Sequence, residues 1–406
     1  MSRPNGDVIS LFGDYPNYLN RIFLSHYPIS CTQIERHEKS IDWNAISCNA
    51  SRNWTHDFIK KFQDKLNWSD LSNNIALPWS ELFFETYKNK FNRLNICSNP
   101  ALPWTQQFIL KHKQYWSFHY LVLNPAIPWT QEMVLLPEVI DKNLMCVNGD
   151  GLWSEEFLLK NAKILPWEFL CANPYIPWSE DLIDQLTPFW NKLESESSAS
   201  LGVSPWKGLC SNPAVPWNSK LIEKYNKLTF REHGIHWDSL SQNPNLPWQE
   251  EELLEKYLKH WNWEWLSVNN GIGFTEQQID DYKDLIQWQA IDSSKNCISL
   301  NTNLTWSSSF IKKHQDKWDW WLLSRNCGIH WDEALISEFE GQIRWSSLLN
   351  NPNSPWSLEF IMKHLDKIEP EWQYGVEPRD TLIWEKVFKP FVTDDVAELV
   401  LKGMDC

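Results

Sequence analysis

The chain has 406 residues, of which 42% are hydrophobic, and its formal net charge is −15 with a pI near 5.2. This acidic balance argues against nucleic-acid binding and against docking to anionic lipid, and it favours a basic protein partner. The first twenty residues lack a basic stretch followed by an apolar one, and no uninterrupted apolar run reaches about eighteen residues. We therefore expect a cytoplasmic protein that is neither secreted nor inserted in a membrane.

The first forty residues do not share the pattern that dominates the rest of the chain. A stack of repeats needs terminal segments that cover its two ends. We predict that residues 1–40 form an N-terminal cap, in which Tyr15, Tyr18, Phe23 and Leu24 cover the first repeat.

From about residue 41 to residue 367, an aromatic anchor recurs roughly every 25 residues, and the residue five places before it is asparagine. The anchors are Trp54, Trp79, Trp104, Trp129, Trp153, Trp178, Trp217, Trp248, Phe274, Trp306, Trp331 and Trp356. The asparagines are Asn49, Asn74, Asn99, Asn124, Asn148, Asn173, Asn212, Asn243, Asn269, Asn301, Asn326 and Asn351. Self-similarity at a short period is typical of solenoids, whose repeats bury their apolar faces against their neighbours. We predict an all-α solenoid of the right-handed type, with about twelve repeats of two helices each.

The first helix of each repeat is predicted to begin just after the anchor. A hydroxyl residue follows most anchors, and acids crowd the next two places, which is typical of a helix N-terminus. The hydroxyl residues are Thr55, Ser80, Thr105, Thr130, Ser154, Ser179, Thr275, Ser307 and Ser357. Apolar side chains four, five, eight and twelve places after the anchor predict one helical face about three turns long.

A shorter second helix is predicted further along each repeat. In eight repeats a Trp stands eleven places before the next anchor: Trp43, Trp68, Trp167, Trp206, Trp237, Trp263, Trp320 and Trp345. Leu, Ile or Met follows three places later, and then Ser or Cys, as in Ser47 and Cys97. We interpret this last position as a slot for a small packing residue. Because serine cannot replace a zinc ligand and no Cys-x-x-Cys pair occurs, we expect reduced cysteines without disulfides or metal.

The repeat closes on the sequence Asn-Pro-x-x-Pro-Trp. A proline after the asparagine, such as Pro100 or Pro125, cannot continue a helix and pushes the asparagine towards extended backbone angles. We therefore predict that the recurring asparagines are not left-handed caps. Their side chains are predicted to bond to loop backbone groups of the same or the adjoining repeat, which would form a structural ladder along the stack.

Three insertions interrupt the repeats, near residues 190–202, 227–234 and 293–296. The first is polar, with Glu194, Ser195 and Glu196, and is predicted to be a mobile loop or an extended turn. After the repeats, residues 368–406 are predicted to form a C-terminal cap that contains a helix over residues 393–401.

The motif Asn-Pro-x-x-Pro-Trp-Ser, found at residues 173–179 and 351–357, resembles the Trp- and Asn-Pro-rich short repeats of uncharacterised bacterial and giant-virus proteins. The resemblance covers roughly residues 41–367. In layout the repeat is also similar to leucine-rich-variant solenoids, which alternate an α-helix with a shorter helical segment but carry Leu where this chain has Trp. These resemblances imply an architecture and no particular activity.

The sequence contains few candidates for catalytic chemistry. No Gly-Lys-Ser/Thr phosphate loop, Gly-x-Gly-x-x-Gly or His-Glu-x-x-His motif occurs, and we expect no cofactor. The best cluster of possible metal ligands is Glu232, His233, His236 and Asp238, beside the second insertion. We interpret it as a solvated loop, with a metal site as the alternative.

Aromatic residues outside the repeat framework are the candidate binding residues. Tyr120, Trp265 and Trp321 occupy second-helix positions that are polar in many other repeats, and aromatic anchors dominate interface energetics. Our main hypothesis is a non-catalytic protein-interaction scaffold, such as an inhibitor, immunity protein or sensor, that binds a basic partner. The alternatives are a solenoid that binds glycans or small ligands through these rings, and a repeat-fold enzyme with its site at an insertion.

Overall fold

The computed structural model describes residues 4–137, 139, 147, 151–196, 204–226, 234–290, 296–368, 370 and 377–405. Every regular element within these ranges is a helix, so the all-α prediction is confirmed. Among the same residues, no helix combines the length and the apolar character needed to span a bilayer. The chain divides into two compact units. We call Met1–Ile127 together with His330–Cys406 the discontinuous unit, and Pro128–Ile329 the central unit.

The first helices begin where the sequence predicts. All nine hydroxyl residues predicted as caps accept a hydrogen bond from the backbone N–H three residues later, as Thr55 does from Phe58. In the discontinuous unit the first helices span His56–Phe62, Glu81–Tyr87, Gln106–Lys111, Glu333–Glu338 and Leu358–Lys363. In the central unit they span Gln131–Val134, Glu155–Lys160, Glu180–Glu196, Ser219–Asn226, Glu251–Lys256, Glu276–Asp281 and Ser308–Lys313.

The predicted length of about three turns is wrong for most first helices. His56–Phe62 has only seven residues, and a separate turn follows in which the N–H of Leu66 donates to the carbonyl of Phe62 at 3.1 Å. The apolar residue twelve places after the anchor therefore lies beyond the helix. It still reaches the core, since the Phe91 ring lies 5.2 Å from the ring of Trp79. The spacing of apolar residues identified the buried face but not the helix end.

The first insertion is also different from the prediction. The part of this insertion that the structure describes, residues 190–196, belongs to the helix Glu180–Glu196. The side chain of Trp190 is fully buried. Trp190 stands twelve places after Trp178, so it occupies the same apolar position as Phe91, and its ring lies 6.2 Å from that of Trp178. Apart from residues 234 and 296, the rest of the three insertions lies outside the described residues, since residues 197–203, 227–233 and 291–295 are not described.

The second helices are as short as predicted, and most begin at the Trp of the repeat. In the discontinuous unit they span Trp43–Cys48, Trp68–Asn73, Arg93–Ser98, Phe118–Leu121 and Trp345–Leu348. In the central unit they span Trp167–Leu170, Pro205–Ser211, Trp237–Leu240, Trp263–Val268, the 3-10 turn Ile298–Leu300, and Trp320–Ser324. The side chains of Asp42, Asn67, Asn92, Asn262 and Asp319 cap five of them. The sequence analysis did not identify this second set of caps.

The Ser or Cys slot has a polar role in addition to its small size. Ser47 Oγ donates to the carbonyl of Trp43 at 2.7 Å and accepts from the N–H of Asn67, in the next repeat, at 2.9 Å. Cys97 occupies the same slot, and its Sγ accepts from the N–H of Ser117 at 3.4 Å. Burial raises the pKa of the Cys210 thiol to about 12, so this buried cysteine remains protonated. The interpretation as packing alone therefore missed a link between consecutive repeats.

The recurring asparagines are buried and link consecutive segments through their side chains. Asn74 Nδ2 donates to the carbonyls of Ser47 and Asn49, at 3.0 Å each, and its Oδ1 accepts from the N–H of Ala76 at 2.9 Å. The indole of Trp79 donates to the carbonyl of Asn74 at 2.9 Å. Donation to two carbonyls of the preceding segment recurs at Asn49, Asn99, Asn124, Asn212, Asn243, Asn269, Asn301 and Asn326.

The side chains of Asn173 and Asn351 also form hydrogen bonds with backbone groups. Asn173 Nδ2 donates to the carbonyl of Val147, and Asn351 Oδ1 accepts from the N–H of Asn353, whereas Asn148 lies outside the described residues. The backbone of Asn99 is extended, with φ −78° and ψ 115°. Asn74 and Asn212 have nearly the same angles. The prediction that these residues are not left-handed caps is confirmed for them.

The core consists of aromatic clusters that contain tryptophan. Trp104 and Trp116 lie 5.0 Å apart between ring centroids, and the ring of Phe108 is within 5.8 Å of both. Trp167, Trp206 and Trp331 are among the largest fully buried side chains of the described residues. Large rings supply the buried area that such short helices lack.

The two ends of the chain meet in the discontinuous unit. The N-terminal segment forms the helices Pro4–Asp14, Pro16–His26 and Cys31–Arg36, and the C-terminal segment forms Leu365–Ile368, Glu377–Ile383, the π-helical turn Trp384–Phe388 and Asp394–Met404. The rings of Phe12 and Phe388 lie 5.4 Å apart, and Gln33 Nε2 donates to Glu398 Oε1 at 3.1 Å. The helix predicted over residues 393–401 is confirmed, with Thr393 as its cap.

Replacing Asn99 with Asp tests the asparagine hydrogen bonds. Asn99 Nδ2 donates to the carbonyls of Ser72 and Asn74 at 2.9 and 3.3 Å, and a carboxylate would place an oxygen against both. We expect Asn99→Asp to lower the free energy of unfolding by about 3 kcal/mol, because buried acceptors lose their donors. Urea denaturation measures this loss. Asn89→Asp makes the same charge change at an exposed position, and an equal loss in both variants would contradict the expectation.

Arg52 is a charged departure from the apolar pattern and is buried in the core. It stands two places before its anchor, where nine other repeats have Leu, Ile or Val, and it is only 3% exposed. Its guanidinium carbon lies 3.6 Å from the ring centroid of Phe58, and Nη2 lies 3.6 Å from Cys31 Sγ. Nε and Nη1 have no hydrogen-bond partner in the described part of the chain, and burial lowers the Arg52 pKa to about 10. Burial of this guanidinium therefore lowers the free energy of unfolding.

Arg52→Leu, which installs the residue found in neighbouring repeats, is expected to stabilise the protein by about 1–2 kcal/mol. The gain comes from removing a desolvated guanidinium, and it exceeds the lost attraction of the cation to the Phe58 ring. The urea midpoint of the variant should rise, whereas Arg52→Lys, which keeps the charge, should show no gain. A lower midpoint for Arg52→Leu would mean that the ring contacts outweigh desolvation.

Candidate functional site

A cavity of the discontinuous unit lies where the chain ends meet. It has a volume of about 610 Å³ and is open to solvent. Its walls come from the helices Pro16–His26 and Glu377–Ile383 and from the second helices Trp43–Cys48 and Trp68–Asn73. The pocket therefore combines the N-terminal segment, the C-terminal segment and the first repeats.

Two carboxylates reach the pocket from consecutive second helices. Asp42 is exposed and caps its helix, since its Oδ1 accepts from the N–H of Asn44 at 2.9 Å and from that of Ala45 at 3.3 Å. This cap holds the carboxylate in one place. Asp70 is half-buried and lies one repeat further along.

A third carboxylate, Asp380, is buried in the opposite wall. Its residue is only 6% exposed, and Oδ1 accepts from the hydroxyl of Tyr18 at 2.7 Å. Arg21 Nη2 lies 3.5 Å from Asp380 Oδ2. A buried carboxylate is tolerated only when donors surround it. The helix Pro16–His26 supplies these donors to Asp380 through the phenol of Tyr18 and the guanidinium of Arg21.

His26 forms a second link across the same wall. Its Nδ1 lies 3.0 Å from the carbonyl of Ile22, and its Nε2 lies 3.3 Å from Thr381 Oγ1. At the rim, Ile75 exposes 57% of its surface. The pocket thus offers carboxylates and amides inside and an apolar side chain at its edge, which suits a cationic group on an aliphatic stem.

The three predicted binding rings do not lie at this pocket. Tyr120 is half-buried in the second helix Phe118–Leu121 of the discontinuous unit. Trp265 is half-buried and Trp321 is 40% exposed, and both belong to second helices of the central unit. The guanidinium carbon of Arg325 lies 5.5 Å from the Trp321 ring. Their role in binding stays a prediction.

The predicted metal cluster is only half described. Glu232 and His233 lie outside the described residues. His236 caps the helix Trp237–Leu240, and burial lowers its pKa. Asp238 Oδ1 accepts from Asn262 Nδ2 at 2.9 Å. The two described members are therefore engaged in local hydrogen bonds.

No family model, curated protein or solved structure is detectably similar to this chain. The function must therefore be inferred from the chain's own residues. The sequence analysis did not single out Asp42, Asp70 or Asp380. At the positions equivalent to Asp42 and Asp70, later repeats have Asn67 and Asn95. Comparing equivalent positions of the repeats reveals this difference in charge. Asp380 lies outside the repeats and has no such signal.

Tyr18→Phe is expected to destabilise the protein by about 2 kcal/mol. The variant removes the hydroxyl that donates to the buried Asp380 carboxylate and leaves that charge with fewer donors. We expect a lower urea midpoint together with faster proteolytic cleavage in the C-terminal segment. Tyr175→Phe removes a hydroxyl from an exposed residue and is expected to change neither. If both variants behave like the unchanged protein, the contact does not hold the chain ends together.

Proposed function

We propose that this protein is a non-catalytic interaction scaffold that binds a basic protein partner. In this proposal the chain is an α-solenoid of about twelve two-helix repeats, and its pocket receives a cationic side chain of the partner. The observation that carries the proposal is the grouping of Asp42, Asp70 and Asp380 around one open cavity, in a chain whose net charge is −15.

The contacts between second helices support a stacked arrangement. In the discontinuous unit, Trp43–Cys48 packs against Trp68–Asn73, which packs against Arg93–Ser98. In the central unit, Trp167–Leu170 packs against Pro205–Ser211, which packs against Trp237–Leu240. Consecutive elements of the same type are therefore neighbours, which is the arrangement that a solenoid requires.

Charge supports the choice of partner. Asp42 and Asp70 line the pocket from neighbouring second helices, and only Arg21 among the lysines and arginines lines it with them. Arg21 is already close to Asp380. An ammonium or guanidinium group would thus meet acceptors of opposite charge, and the acidic surface would accelerate its approach.

The test is a pull-down from a lysate of the source cell with the immobilised protein and with Asp42→Asn/Asp70→Asn. Both substitutions install residues that other repeats carry at the same positions, so the helix cap and the fold are retained. Retained proteins are identified and quantified by mass spectrometry. We expect a stoichiometric partner with a strongly basic sequence, whose retention by the variant falls about tenfold or more and weakens with added salt.

Asp57→Asn/Asp64→Asn is the matched control, because it removes the same two charges from exposed residues of the first helix and the turn that follows it. It should retain the partner as the unchanged protein does. Equal losses in the two double variants would show a dependence on net charge rather than on the pocket. Retention of neutral or acidic proteins only, or of none, would contradict the proposal.

A further inference from the structure

A second cluster of possible ligands lies on two consecutive first helices, away from the residues used above. Glu81 and Glu85 belong to the helix Glu81–Tyr87, and His112 ends the next first helix, Gln106–Lys111. One ligand atom from each of the three residues lies within 4.8 Å of the other two. His112 Nε2 is 3.2 Å from Glu85 Oε1 and 4.0 Å from Glu81 Oε1.

The imidazole of His112 is held in place and buried. Its ring centroid lies 5.1 Å from those of Phe84 and Phe108, and 6.2 Å from that of Trp116. The side chain is only 8% exposed, yet Nε2 makes no hydrogen bond with any described residue. The buried nitrogen thus lies beside two carboxylates without a hydrogen bond, which is an unfavourable arrangement as it stands.

We propose that Glu81, Glu85 and His112 bind a divalent transition-metal cation, with Zn²⁺ as the ion that the ligands suit best. Carboxylate oxygen and imidazole nitrogen are both zinc ligands, at about 2.0–2.2 Å from the ion. Two ligands at that distance in a tetrahedral site are roughly 3.4 Å apart, which is close to the separation between His112 and Glu85. Glu81 is exposed, so its side chain could move closer once its bond to Lys111 is broken. Three protein ligands leave the fourth position open to water.

Two lysines contact the carboxylates of this cluster. Lys88 Nζ donates to Glu85 Oε2 at 2.8 Å and leaves Glu85 Oε1 directed at His112. Lys111 Nζ bonds to Glu81 Oε1 and lies 3.9 Å from Glu85 Oε1, so its ammonium occupies the space between the two carboxylates. The bound ion would replace this ammonium, and Lys111 would compete with it.

His314 provides an internal comparison. It stands eight places after its anchor, as His112 does, it is also buried, and it lies 3.5 Å from Asp280 Oδ1 beside Lys313. No second carboxylate completes a three-ligand group there in the described part of the chain. His314 therefore has the same local chemistry with one ligand fewer.

The test is titration of the purified full-length protein with Co²⁺ at pH 7.5, followed by calorimetry and by the visible absorption of bound Co²⁺. The absorption spectrum of bound Co²⁺ distinguishes its ligands, because nitrogen and oxygen ligands do not give the intense near-ultraviolet bands that cysteine ligands give. Competition with Zn²⁺ then gives the zinc affinity. The variants are His112→Phe and Glu85→Gln. Phe stands eight places after the anchor in other repeats, as Phe62 and Phe339 do, so His112→Phe is compatible with the fold.

We expect one equivalent of Co²⁺ without cysteine bands, displaced by Zn²⁺. Affinity should fall about tenfold or more in His112→Phe and Glu85→Gln and remain unchanged in His314→Phe. Lys111→Met should bind the ion more tightly than the unchanged protein, because it removes the competing ammonium. The proposal is wrong if the unchanged protein shows no saturable binding, if His112→Phe and His314→Phe behave alike, if Lys111→Met gains nothing, or if cysteine bands appear.

Discussion

The hydrogen bonds of the recurring asparagine side chain are the interaction on which the rest of the described structure depends. A helix of six residues, such as Trp43–Cys48, leaves most of its carbonyl groups without a partner inside the helix. Asn74 supplies donors to two carbonyls at the end of this helix, and Trp79 supplies one to the carbonyl of Asn74 itself. Each short helix is thus completed by the sequence repeat that follows it. Such helices have little stability alone and gain it from their neighbours.

The sequence predicted what recurs within a repeat, because local chemistry determines it. A hydroxyl before acids begins a helix, as at Ser154, and a proline after asparagine keeps the asparagine extended, as at Asn99. Helix length was not predictable in the same way. An apolar residue such as Phe91 reaches the same core from a turn as it would from a longer helix. The role of Trp190 as a core residue of its repeat was not recognised from the sequence, because polar residues follow it.

The candidate pocket depends on contacts that no local pattern reveals. Tyr18 and Asp380 meet although 362 residues separate them, and neither belongs to the repeats. A regular repeat determines where each second helix lies, but the residues that depart from the pattern decide what its surface can bind. Asp70 is such a departure, and Arg52 is another that lies in the core instead of the pocket. Function in a repeat chain is therefore best sought at positions where one repeat differs from the others.

The distribution of charge distinguishes the first helices from the pocket. A lysine seven places after the anchor pairs with an acid of the preceding first helix, as Lys111 does with Glu81 and Lys224 with Glu180. Exposed pairs of this kind contribute little stability, but they neutralise the first helices locally. The pocket carboxylates belong to the second helices and to the C-terminal segment, outside this row of pairs. The pocket carboxylates are thus not neutralised by these lysines, which is what the proposed contact with a basic partner requires.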